Sequence, residues 1–147
     1  MENETFDKGR VISFSDAIFS IAMTLLVLEV VIPSYKEIQN GNTLNVLSNR
    51  IPSFIGLIIS FLVTALYWIA HLRIMKYAST IDTKILWYNI GLLFFIVLLP
   101  FSTAFYVKGF SFKGPFAFYC FNLSAIGFFN FLLNVYIPKK EKGLTGV

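Results

Sequence analysis

The run from Val11 to Ile32 is apolar enough to lie in a membrane, yet it holds two carboxylates, Asp16 and Glu29. No other feature constrains the chain as strongly. A helix needs about 20 apolar residues to cross the hydrocarbon core, and this run supplies them. A carboxylate inside such a helix is costly and has to face a polar interior or a partner. Any fold for this chain must therefore say what faces Asp16.

Three further runs have the same character: about Ile51 to Ile74, Ile85 to Val107 and Pro115 to Ile137. Only 14% of the residues are charged, against about 25% in an ordinary soluble domain. Hydrophobic residues make up 56%, which a soluble core of this size cannot hide. The expected fold is all-α: a polytopic transmembrane bundle with four spans, 11–32, 51–74, 85–107 and 115–137, in one domain over residues 1–147. The acidic start, with Glu2, Glu4 and Asp7, does not read as a cleavable signal.

Local punctuation agrees with these bounds. Asp82 and Thr83 stand where an N-cap belongs, and Gly114 and Pro115 open the fourth run. Pro100 removes a backbone bond inside the third, so a kink is expected there, eased by Ser102 or Thr103. The fourth run is expected to end before Pro138, leaving a frayed tail. The polar segment from Ser34 to Asn49, with Asn40, Gly41 and Asn42, reads as a mobile outer loop.

Charge sets the orientation. Lys8, Arg10, Arg73, Lys76, Lys84, Lys139, Lys140 and Lys142 fall on one side, against Lys36, Arg50, Lys108 and Lys113 on the other. The positive-inside rule makes the chain a multi-pass cell-membrane protein with both termini cytoplasmic. The excess of cations is a topology signal, so no nucleic-acid partner is expected. Cys120 is alone, which allows no intrachain disulfide, and reads as a small buried hydrophobe.

The first run is the most informative. At about 100° per residue, Ile21, Leu25 and Leu28 share one stripe, and Ser20, Thr24 and Val27 form the next. Ser13, Asp16 and Ser20 share a polar strip. Ser and Thr hydroxyls in such helices commonly bond to carbonyls one turn back, which needs no function. A helix lining a pathway would carry the same hydroxyls. Asp16 favours the second view: Arg10, Arg73 and His71 are its candidate partners near the same membrane face, and an Arg10–Asp16–His71 cluster is expected, with His71 at the depth of Asp16. His71 by itself reads as a packing histidine, a pH-sensing group or a metal ligand, although one His and one Asp are too few for a metal site. Glu29 is either a solvated end residue or an attractor of cations at an outer mouth. There is no Ser/His/Asp spacing, no paired carboxylate and no phosphate loop, so neither an enzyme nor a cofactor is expected.

The motif R-x-x-x-F-S-D, here Arg10, Phe14, Ser15 and Asp16, followed by AIFSIAMTLLVLEV, resembles the first-helix signature of the transmembrane protein 175 family of cation channels. The segment WIAHLRIMKY, with Trp68 and His71, resembles that family's second helix. The resemblance implies a homotetramer whose first helix lines a central pore. It implies a hydrophobic constriction, or gate, at Ile21, Leu25 and Leu28, with Ser20 and Thr24 influencing potassium preference. It implies a structural polar network drawn from Arg10, Phe14, Ser15, Asp16, Trp68 and His71. Bacterial members carry six helices; this chain supplies four, as a natural short form or a truncation.

The expected function is thus a potassium-permeable, modestly selective channel for monovalent cations, embedded in the bilayer as a homotetramer, with no metal beyond ions in transit. The alternatives are a proton- or cation-coupled secondary transporter subunit using Asp16 and His71, and a non-conducting membrane scaffold.

Overall fold

A computed structural model describes residues 4–29 and 32–145. Helix α1 (Lys8–Leu25) starts at Asp7, whose carboxylate accepts the Gly9 and Arg10 amides, and passes into a 3-10 turn, Leu26–Glu29. Two short helices follow, α2 (Tyr35–Asn40) and α3 (Thr43–Ser48), then α4 (Ile51–Tyr77), α5 (Thr83–Lys108) and α6 (Lys113–Thr145). Residues Thr5–Phe6 (β1) pair antiparallel with Ile81–Asp82 (β2), Thr5 opposite Asp82 and Phe6 opposite Ile81. Four of the helices are long and apolar enough to cross a membrane: Lys8–Leu28, Ile51–Tyr77, Thr83–Lys108 and Lys113–Gly143.

Helix α5 is the central one. It touches α1, α4 and α6, and 44% of its apolar window is buried, against 22% or less for the others. Ile85, Leu92, Ile96 and Leu99 are fully enclosed along it and share one core with Ile126, Leu133 and Ile137 of α6. The α5–α6 approach is close at Gly91, where a Cβ would stand 2.5 Å from the Phe129 ring. A larger residue there would push the helices apart.

Most polar side chains inside this bundle are tied together, as a medium without water requires, although Asn122 Oδ1 and Asn130 Oδ1 are buried without a partner among the described residues. The Ser60 and Tyr119 hydroxyls lie 2.9 Å apart, Thr103 Oγ1 donates to Ser60 Oγ at 2.8 Å, and Thr64 donates to the Ser60 carbonyl. Asn122 Nδ2 donates to the Phe95 carbonyl and to Ser102 Oγ. This layer fastens α4, α5 and α6 just beyond Pro100. Ser102 also donates back to the Leu99 carbonyl at 3.0 Å, and α5 continues as helix on both sides of the proline.

Three expectations need correction. The segment Ser34–Asn49 is largely helical. Ser34 and Glu37 form a capping box, and Arg50 pairs with Glu37 at 2.9 Å. The Ser34 amide, donating to the carboxylate, holds the Glu37 acid below its ordinary range, with Arg50 adding to it. The fourth span does not stop before Pro138: α6 runs to Thr145. Its last turns are anchored, because Lys140 Nζ donates to the Thr80 carbonyl at 2.6 Å and the Ser79 amide and hydroxyl donate to Glu141. Those bonds tie the helix down beyond the proline, which itself lacks a backbone donor. Cys120 is half-buried rather than enclosed. The first span was expected to reach Ile32, but Val30 and Val31 lie outside the described residues.

One end of the bundle therefore gathers β1, β2, the α4–α5 connection and the end of α6. Asp82 caps α5 by accepting the Ile85 amide at 2.8 Å, and its other oxygen accepts the Tyr136 hydroxyl. Lys84 lies 4.7 Å above the Tyr136 ring. Replacing Asp82 with Ala removes the cap and the Tyr136 acceptor together, and should lower unfolding stability by about 1–2 kcal/mol. Denaturant titration in detergent measures this, and a midpoint equal to wild type would show that the bracket adds nothing.

Candidate functional site

Helix α1 has two faces of different fate. Ser15, Phe19, Ala22 and Leu26 are buried against α4 and α5. They recur at i, i+4, i+7 and i+11, one stripe of a helix. The Ile21, Leu25 and Leu28 stripe is 57%, 41% and 70% exposed, with Val27 at 54% beside it. Ser20 and Thr24 are also exposed. Thus the bundle leaves the apolar stripe and its two flanking hydroxyls uncovered. Both hydroxyls donate to their own helix, Ser20 Oγ to the Asp16 carbonyl and Thr24 Oγ1 to the Ile21 carbonyl, each at 2.8 Å. Their lone pairs remain available to whatever lies beyond that face.

What holds α1 in this rotation is a polar layer on its covered side. Asp16 accepts the Trp68 indole N–H at 3.0 Å. Ser15 Oγ donates to the Val11 carbonyl at 2.8 Å, so it receives rather than gives toward Asn89, whose Nδ2 donates to it at 2.8 Å. That orientation turns Asn89 Oδ1 toward His71 Nε2, 2.7 Å away. The network assigns His71 as the tautomer with its proton on Nε2. His71 Nδ1 is buried without a partner, and the Phe19 ring packs 5.5 Å from the imidazole. Asn89 is 1% exposed and joins three helices: α1 through Ser15, α4 through His71, and its own α5.

This arrangement differs from the expected Arg10–Asp16–His71 cluster. Ser15, Asp16, Trp68 and His71 do come to one layer, but as two separate pairings. Arg10 makes no ion pair with Asp16 among the described residues. Six helical residues separate the two, which places them about 120° apart around the helix. Arg10 instead lines a cleft with Phe6, Asp7 and Phe14 against Leu86 and Ile90 of α5. Phe14 is 62% exposed and belongs to the outward stripe. Asn89 was not anticipated. Its signal was present in the run YNIGLLFF, where one amide stands in an apolar span at the depth of His71. The Glu29 side chain, the suggested outer attractor, lies outside the described residues. Among the described residues, no group of three His, Cys, Asp or Glu side chains is placed to hold a metal ion.

Residues 10–100, which include this whole layer, match the family model described as the endosomal/lysosomal potassium channel TMEM175. The chain belongs to the TMEM175 family. It is 34% identical over 101 residues to a potassium channel of Chamaesiphon minutus, an alignment covering 69% of this chain and 50% of that one. A potassium channel of Streptomyces collinus is 33% identical over 98 residues, covering 67% and 47%. The endosomal/lysosomal proton channel TMEM175 of Mus musculus is 28% identical over 103 residues, covering 69% and 20%. The chain thus spans about half the length of the bacterial relatives it matches. The crystal structure of a lysosomal potassium-selective channel TMEM175 homolog from Chamaesiphon minutus superposes with a TM-score of 0.81 at 26% identity, covering 95% of this chain and 77% of that one.

Within this family fold, Asn89 is the residue on which the α1 layer converges. Asn89→Ala strands the buried Ser15 and His71 groups and should cost about 1–3 kcal/mol. Trp68→Phe removes one interhelical bond and should cost about 0.6 kcal/mol, the average for such bonds in membranes. Unfolding of both variants in mixed detergent measures the difference, and equal losses would remove Asn89 from its central place.

Proposed function

We propose that this chain forms a potassium-permeable, modestly selective cation channel, with α1 lining a central pore in a homotetramer. The observation that carries the reading is the uncovered stripe of α1. One face is locked inward by the polar layer, while Ile21, Leu25 and Leu28, flanked by Ser20 and Thr24, face away from the chain's own helices. The relatives named as potassium channels support it. Around a cyclic axis the stripe becomes three stacked rings of branched side chains.

Such rings make a narrow, dry neck. A cation entering it loses hydration, which is costly unless the neck widens or nearby oxygens replace water. Ser20 and Thr24 supply such oxygens one stripe away. Potassium gives up water more readily than sodium, so the neck prefers potassium by a modest factor. Ser15, Asp16, Trp68 and His71 set the roll of α1 from behind. Arg10 and Phe14 continue the stripe toward the helix start, beside the cleft against α5. The bundle end holding β1 and the end of α6 lies in the cytoplasm of a cell-membrane protein, following its excess of Lys and Arg.

The transporter reading requires Asp16 and His71 to titrate as a pair. The two make no hydrogen bond to each other; each bonds a neutral partner, Trp68 and Asn89. The geometry therefore favours a fixed support behind a pore.

The test is cation flux into liposomes carrying the purified chain, potassium against sodium, with cross-linking to count subunits. Wild type should pass potassium faster than sodium from a tetramer. Ile21→Asn should wet the neck and raise the leak at least severalfold. Unchanged flux in that variant would mean that Ile21 is not at the constriction.

A further inference from the structure

A groove between α1 and α4 takes no part in this reading. Its volume is about 450 Å3. Ile69, Leu72, Arg73 and Lys76 follow the i, i+3, i+4, i+7 spacing on α4, and Lys8 and Ile12 stand one turn apart on α1. The two helices run in opposite directions here, so the start of α1 meets the end of α4. The groove is consequently graded along the membrane normal. Ile12, Ile69 and Leu72 line its deeper part, and Lys8, Arg73 and Lys76 its outer part.

No acidic residue lines the groove. Glu141 interacts electrostatically with Lys8, while Arg73 and Lys76 have no acidic side chain within ion-pair distance among the described residues. Both are exposed at the rim. Lys and Arg at a helix end ordinarily snorkel toward headgroups one by one. Here cations from two helices converge on the mouth of one apolar slot. A zwitterionic lipid has no net charge to match the uncompensated Arg73 and Lys76, whereas a phosphate without a compensating amine does.

We propose that this groove binds one anionic phospholipid per subunit, with an acyl chain along Ile12, Ile69 and Leu72 and the phosphate among Lys8, Arg73 and Lys76. The lipid would fasten α1 to α4 on the side away from Asn89. The site needs only a bilayer around the bundle and stands whether or not the chain conducts.

The experiment uses the purified chain in detergent with equal amounts of phosphatidylglycerol and phosphatidylcholine, and native mass spectrometry to count retained lipids. Wild type should retain one phosphatidylglycerol per subunit in preference to phosphatidylcholine. Arg73→Gln with Lys76→Gln should reduce that retention about tenfold or more, given the contribution of each cation near an anionic lipid. Leu72→Trp keeps every cation but fills the slot, and should reduce it also; this variant decides the matter should the double variant fail to fold. Lys108→Gln with Lys113→Gln, at the other end of the bundle, should leave retention unchanged. Equal retention of the two lipids by wild type overturns the proposal, as does wild-type retention in Leu72→Trp. Cross-linking of Leu72→Cys to a second copy, in a Cys120→Ala background, would show the groove covered by another subunit and would overturn it as well.

Discussion

The hydrogen bonds that Asn89 makes, donating to Ser15 and accepting from His71, seat α1 on the rest of the bundle. In hydrocarbon a polar side chain has no water to turn to, so it takes the partner the fold offers or destabilises the fold. A single amide with two donors and one carbonyl satisfies α1 and α4 from α5. This fixes the rotation of α1 about its own axis. Apolar packing alone would hold that rotation loosely, because Ala22 and Leu26 are flanked on both sides by other apolar residues, Ile21 and Met23, Leu25 and Val27.

A second polar layer, of Ser60, Thr103, Tyr119, Ser102 and Asn122, acts at a different depth and on a different helix set. The first layer joins α1, α4 and α5; the second joins α4, α5 and α6. Helices α4 and α5 belong to both and form the frame between them. The outer surfaces carry no such restriction: Phe94, Phe101, Phe121 and Phe131 stand exposed there, and the first three make ring contacts with neighbouring phenylalanines.

Much of this was legible in the sequence, because the signals are local. Run lengths give the four spans, Asp82 gives a cap, and helical spacing gives the Ile21, Leu25, Leu28 stripe. Partner choice was not legible. Asp16 has several polar groups at its depth, and which one meets it depends on helix rotation, a tertiary property. The sequence pairs it with Arg10 and His71 by depth, while the fold gives it Trp68. The extension of α6 past Pro138 depends on bonds from Lys140 and Glu141 to a loop some 60 residues earlier in the chain, which no local rule anticipates. The helices α2 and α3 were hidden by the Asn and Gly between them, although Ser34 and Glu37 carried a capping box.

The pairing of Thr5–Phe6 with Ile81–Asp82 has a consequence in time. During synthesis α1 leaves the ribosome first, with Asp16 and Ser15 on it, and the residues that will receive them do not yet exist. Trp68 and His71 follow a span later, Asn89 later still, and the strand that fixes the N-terminal segment closes only once Asp82 has emerged. The hydroxyls of the first helix can bond their own helix at once, whereas the Asp16 carboxylate has water or headgroups until Trp68 arrives. The final seating of this helix is a late, non-local event, slow relative to helix formation itself. The segment most exposed to misassembly is thus the one that carries the candidate pore.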